Sequence, residues 1–205
     1  VQLAADRGAS NVLVSVTEFD EAPPHEPKQH RVAIRDCRLT PPVVAATRGD
    51  ELVIENESEY PFLPTLGSSP FMQSLMKGQS RTMKLSSGGV QPLTCGFAAT
   101  CGRADVIVQY HAVHGVTGDD GRFELGNVPP GEVVVHAWHP LLQEAKKTVT
   151  VKKGETTTVE LVVEPAKRPE QAAADGGAAK ADGGAEQAEQ AAQGEAAGED
   201  DPILQ

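Results

Sequence analysis

Four of the six histidines stand in two H-x-x-H pairs, His111/His114 and His136/His139. Zinc and copper take imidazole nitrogen readily, but they need three or four converging donors. The pairs are therefore the constellation with metal-binding potential, with copper or zinc as the metal and a cysteine as a further donor. Their spacing works against chelation within one pair. On a strand, residues i and i+3 point to opposite faces, so His136 shares a face with Trp138 and His139 with Ala137. Only a bulge or strand end breaks that alternation, and His139-Pro140 lies at such an end. A site built from one histidine of each pair stays open, while the preferred expectation is four structural imidazoles. His25 and His30 fall in a polar, proline-bearing connection and are expected in solvent.

Three cysteines, Cys37, Cys95 and Cys101, form an odd count. In an exported protein this predicts one disulfide and one leftover thiol. Cys95 and Cys101 are close, and Gly96 and Gly102 let the chain between them bend. Cys37 pairing with either is equally compatible, so three pairings are open. No base or electropositive setting marks any of them as a catalytic thiol. Met72, Met76 and Met83 offer thioethers for Cu(I), but no histidine lies close by, and packing under a loop is the simpler role.

The usual catalytic signatures are absent: no G-x-S-x-G, H-E-x-x-H, P-loop or dinucleotide fingerprint occurs. Asp119-Asp120-Gly121 lacks the spaced ligands of a calcium loop and reads as a β-turn. The net charge is −11 over 205 residues. Much of it sits in 166–205, where nine acids face three Lys or Arg and only Ile203 and Leu204 are large apolar residues. Such a segment buries too little surface to offset ordering, so 166–205 is expected to be a disordered acidic tail. No basic patch points to nucleic acid, and no run of about 18 apolar residues predicts a membrane span.

The elements that must position these residues are short strands. Asn11–Val16, Arg31–Cys37, Val43–Ala46, Glu51–Asn56, Ser80–Leu85 and Val106–Tyr110 read as strands between turn signals such as Arg48-Gly49-Asp50. Farther on, Arg122–Leu125, Val133–Trp138, Thr148–Lys152 and Thr156–Val163 alternate or run apolar, punctuated by Asp120-Gly121, Pro130-Gly131 and Gly154. The expectation is an all-β chain of two consecutive antiparallel β-sandwiches, 9–110 and 111–165, followed by the tail.

Two stretches resemble known families. The spelling T-G-D-D-G-R-F-E-L-G-N-V-P-P-G-E over Thr117–Glu132 resembles the carboxypeptidase regulatory-like domain, a transthyretin-like module that packs or binds without chemistry of its own. Asp36-Cys37-Arg38-Leu39-Thr40-Pro41, followed by Arg48-Gly49-Asp50 and Val53 to Ser58, resembles the cupredoxin pattern over roughly 30–110. That second resemblance implies a copper site, yet its histidine is missing from Glu59–Leu63, and Cys95 is followed by Gly96-Phe97-Ala98-Ala99-Thr100-Cys101. A degenerate site without its copper ligands is expected. In this fused architecture Trp138 is expected in the core, with His139 capping its strand.

Together these readings predict a non-catalytic, exported protein of the bacterial periplasm or extracellular space, with Val1 following a removed signal peptide. It would bind a partner protein, a glycan or an envelope assembly, with no cofactor. The candidate surface is Tyr60–Gln79 with Cys95–Arg103, carrying Phe62, Leu63, Phe71, Met72 and Phe97. The competing expectation is that these side chains close the end of the first sandwich. The alternative function is copper or zinc binding, for transport or electron transfer, through His111, His114, His136 and His139.

Overall fold

The computed structural model describes residues 2–3, 7–70, 73–97 and 101–166. The tail expectation beyond Ala166 lies outside those residues, as do Phe71 and Met72. The chain opens with β1 (Gln2–Leu3), β2 (Arg7–Gly8) and β3 (Leu13–Thr17). After a connection holding Pro23, Pro24 and Pro27 come β4 (Gln29–Arg35), β5 (Arg38–Thr40), β6 (Val43–Thr47) and β7 (Glu51–Asn56). β8 (Pro64–Leu66), β9 (Ser69–Pro70), β10 (Ser80–Lys84), β11 (Gly89–Cys95) and β12 (Ala104–Gln109) follow. The remainder carries β13 (His114–Val116), β14 (Gly131–Trp138), β15 (Ala145–Val151) and β16 (Val162–Val163). Among the described residues no α-helix occurs, and every element with a ladder partner is a strand. The all-β reading therefore holds.

Two sheets, ordered β10-β7-β4-β5 and β6-β12-β11-β8-β9, face one another. Val32, Ile34, Leu52 and Ile54 from the first meet Leu93, Val106 and Val108 from the second in one buried core. A third sheet, β13-β3-β14-β15, buries Val14, Val16, Val133 and Val135 in a second core. Its other face brings Leu13, Val116 and Trp138 against Val43, Ala45 and Ile107 of the middle sheet. A sheet covered on both faces needs apolar side chains on both. That is why β6 runs Val43-Val44-Ala45-Ala46 and β12 carries Val106-Ile107-Val108, whereas β14 alternates. The core expected for Trp138 is this seam between layers, where it is half-buried. Pairing is mixed, with β4–β7 and β6–β12 parallel and most other pairs antiparallel.

β3 differs from the sequence expectation in its partners. The sequence places it in the first sandwich, but Leu13 lies opposite Trp138 and Thr17 opposite Val134 on β14, with Val116 of β13 on its other side. Alternating Val12, Val14 and Val16 specify a buried face; they do not specify which sheet receives it. Arg122–Leu125 forms no strand, though Phe123 and Leu125 still pack on the second core. Of Thr156–Val163 only Val162–Val163 is a strand, paired in parallel with β1. The turn at Asp119-Asp120-Gly121 forms as expected, closed by the Gly121 N–H on the Gly118 carbonyl at 2.9 Å. It lies so near β2 that a Cβ on Gly8 would sit 2.2 Å from the Asp120 carbonyl oxygen.

Of the three cysteine pairings, the structure holds Cys37–Cys101, with Cα atoms 4.1 Å apart and a sequence separation of 64. Cys95 is a half-buried free thiol. A bridge over so long a loop removes much unfolded-state freedom, about 4 kcal/mol in the chain-entropy model. Cys37→Ser should therefore lower stability by roughly that amount, and Cys95→Ser by less than about 1 kcal/mol, read from urea unfolding without reductant.

Candidate functional site

The loop end of the first sandwich is organised by Asn56, which is fully buried at the end of β7. Its Nδ2 donates to the Tyr60 and Leu75 carbonyls, each at 2.8 Å, and its Oδ1 accepts from the Ser58 N–H and hydroxyl. This satisfied amide shapes residues 57–62. Phe62 exchanges two backbone hydrogen bonds with Leu75, and the Gly96 N–H reaches the Leu63 carbonyl at 2.8 Å. Three loop segments thus lie side by side. Phe62, at 1% exposure, points into the core, which corrects its assignment to a binding surface. Leu63 is half-buried. Tyr60, Phe97 and Met76 stand out at 68%, 59% and 56% exposure. Phe71 and Met72 are outside the described residues, so the expected set divides: Phe62 closes the sandwich and Phe97 faces solvent.

The copper implied by the resemblance finds no suitable donors here. This end presents Tyr60, Phe62, Leu63 and Phe97 beside the free Cys95, and none of its loop segments contains a histidine. A thiol without imidazoles does not make a type 1 copper site.

The opposite end of β7 holds the other polar centre. Gly49, at φ 102°, turns the chain between β6 and β7 and delivers Asp50 into the interior at 1% exposure. Asp50 Oδ1 accepts from His25 Nε2 at 2.6 Å and from the Lys28 N–H at 2.9 Å. Oδ2 accepts from His30 Nε2 at 2.7 Å and from the Thr47 N–H at 2.9 Å. An ionised carboxylate only accepts, so both rings carry a proton on Nε2. Burial alone would raise the Asp50 pKa. The two backbone N–H groups and the two imidazoles outweigh it and hold the carboxyl far below the usual range. His25 and His30 are thus partly buried partners of a carboxylate, not solvated residues; nothing in the periodicity of a proline-rich connection signals this.

Two further imidazoles adjoin the cluster. His114 Nε2 lies 2.9 Å from Thr47 Oγ1, while its Nδ1 is buried without a partner. Burial, reinforced by His111, lowers the His114 pKa to about 4, against a smaller opposing pull from Asp50. His111 accepts the Val113 N–H at Nδ1 and packs edge-on against Phe19, with ring centroids 5.2 Å apart. Burial lowers its pKa as well. A cavity of about 470 Å³ opens beside them, lined by Pro23, His25, Lys28, His114, Glu124 and Asn127 among others.

The four histidines singled out in sequence do not meet. His136 bridges the third sheet, with Nε2 at 2.8 Å from Thr17 Oγ1 and Nδ1 at 2.8 Å from Glu144 Oε1. That hydrogen bond, helped by Lys146 and opposed by burial, lowers the Glu144 pKa. His139 accepts the Leu141 N–H at Nδ1, just past the end of β14. His111 and His114 join His25 and His30 instead, a grouping that depends on the crossing of the 18–28 connection.

No family model and no curated protein matches the chain. Solved structures similar to it include cupredoxins. A reduced amicyanin variant is 17% identical over 46% of this chain and 99% of its own, with a TM-score of 0.36. A second amicyanin variant is 17% identical over 39% and 81%, at 0.35. A purple cupredoxin from Nitrosopumilus maritimus is 14% identical over 38% and 98%, at 0.34. The likeness covers less than half of the chain.

Because the folded pKa of His114 lies below its ordinary 6.5, the unfolded chain takes up a proton that the folded chain refuses. Its stabilising share is complete above pH 6.5 and is lost as pH falls towards 4. Allowing for partial solvent access, that share is about 2 kcal/mol, and denaturant unfolding at pH 7 and pH 4 should show it shrink in His114→Gln.

Proposed function

We propose that the chain is a non-catalytic binding or scaffold protein of an exported, oxidising compartment, in which stacked sheets hold an apolar loop surface towards a partner. The observation that carries this is the exposure of Tyr60, Met76 and Phe97 on three adjacent segments. Single exposed apolar residues are ordinary; neighbouring aromatic and thioether side chains held by a rigid base suit protein or glycan contact. The Cys37–Cys101 bridge fits an oxidising location. The second half, which resembles the carboxypeptidase regulatory-like domain, would serve as the packing support of the first. The alternative of copper or zinc held by His111, His114, His136 and His139 gains no support from this geometry, since His136 and His139 hold other partners.

Replacing Phe62 and replacing the exposed residues should have separate consequences. Phe62→Ala is expected to cost about 3–5 kcal/mol, whereas Tyr60→Ala and Phe97→Ala each stay within about 0.5 kcal/mol. A photoreactive amino acid in place of Phe97, compared with one in place of Glu155, tests binding in the native host. A discrete adduct from position 97 alone is expected; identical profiles, or none from position 97, would reject the surface.

A further inference from the structure

Of the four imidazoles gathered around Asp50 and Thr47, two can take up a further proton in place and two cannot. His25 and His30 already give their Nε2 protons to the Asp50 carboxylate, at 2.6 and 2.7 Å. A second proton on either ring goes to Nδ1 and leaves that bond intact, adding a charge that the carboxylate attracts. His114 differs. Its Nε2 rests on Thr47 Oγ1 and its Nδ1 is buried without a partner. Whichever nitrogen carries the proton of the neutral ring, the imidazolium has a buried Nδ1–H that meets no acceptor. His111 is blocked in another way. Its Nδ1 accepts the Val113 N–H at 3.3 Å, so a proton arriving there would face a donor.

The two intolerant rings share the short link from β12 to β13, and that link closes over apolar groups. Val113 is buried in the second core, its carbonyl accepts the Val16 N–H at 3.0 Å, and the His111 ring stands edge-on to Phe19. Thr47 holds the link from the other side, with Oγ1 at 2.9 Å from His114 Nε2 and 3.5 Å from the His111 carbonyl. The charges facing His114 are His111 on the same link, Asp50 on the turn between β6 and β7, and His25 and His30 on the connection and β4. Among these only Asp50 attracts a proton to it, and one carboxylate does not balance four imidazolium rings. Glu26, Lys28 and Glu124 stand on the wall of the adjoining cavity.

We propose that residues 110–114 form an acid-released latch, closed while His111 and His114 are neutral and lifted when they take up protons, with the Asp50–His25–His30 pairing left in place. Histidine serves as a pH sensor in this manner wherever one conformation refuses the proton that another accepts. The closed state holds His114 at about 4 against an ordinary 6.5, and His111 is displaced in the same direction. The open state, with both rings in water, binds those protons more readily. Closure is therefore full above pH 6.5 and is lost as pH falls towards 4, the opening equilibrium rising by up to about 100-fold. Opening uncovers Val113 and the adjoining face of Phe19. The latch does not depend on the binding role of the opposite end.

The test is amide hydrogen exchange of the full chain, followed by NMR between pH 7 and pH 4 and corrected for the intrinsic pH dependence of exchange. The Val16 and Val113 N–H groups are expected to lose protection by roughly 10- to 100-fold. The Leu75 N–H, bonded to the Phe62 carbonyl at the far end of the sandwich, should keep its protection. His114→Gln retains an N–H for Thr47 Oγ1 and takes no charge, so it should reduce the acid-dependent loss about 10-fold or more. His136→Gln should leave that loss unchanged. Should His114→Gln fail to fold by circular dichroism, the unmodified chain decides, since the loss at Val16 has to coincide with protonation of the His114 ring in the same spectra. Constant protection at Val16 down to pH 4, an equal fall at Leu75, a full loss in His114→Gln, or a loss that does not coincide with the His114 titration overturns the latch.

Discussion

One buried carboxylate ties the connection that arrives from β3 to the turn between β6 and β7. Asp50 sits where β6 turns into β7, and its four hydrogen bonds reach the turn itself, the strand β4 and the connection that arrives from β3. A charge removed from water is tolerable only when every acceptor direction is filled. Here the filling groups come from segments that no local preference would bring together. The path of residues 18–28 follows from that requirement, and with it the meeting of His25 and His30 with His111 and His114.

The layers explain the rest of the geometry. The middle sheet serves two interiors at once, one shared with β4 and β7, the other with Leu13, Val116 and Trp138. Anything that shifts β6 therefore moves both. The loop end near Asn56 and the imidazole end near Asp50 are terminations of the same strand β7. A partner contact at one end and the Asp50 hydrogen-bond cluster at the other would be joined through a single six-residue element.

Much of the fold could be read from the residues, because apolar alternation and glycine turns are local signals. β7, β10 and β12 lie close to their expected bounds. The partner of β3 was not legible, since Val12, Val14 and Val16 fit any sheet that offers an apolar face. Arg122–Leu125 alternates like a strand, yet it meets the core without a ladder. At the candidate sites the sequence left open whether Phe62 and Phe97 face a partner or close the sandwich, since both are aromatic residues in glycine- or proline-bearing loops; in the structure Phe62 turns inward and Phe97 outward. The histidine cluster escaped notice because its organiser, Asp50, looked like an ordinary turn residue, and pairing by sequence spacing favoured His136 and His139 over the distant His25.

The placement of β3 bears on how the polypeptide comes together in time. Its longer ladder partner β14 ends 121 residues after Thr17 in the sequence, so a chain emerging amino-terminus first holds a finished apolar strand with only the short β13 beside it until the last third has appeared. Contacts of such long separation slow folding and prolong the exposure of sticky edges. The acquisition of structure is then governed by the final segments, and truncation near residue 110 would leave Val12, Val14 and Val16 as an orphaned, aggregation-prone edge instead of yielding a free-standing first half.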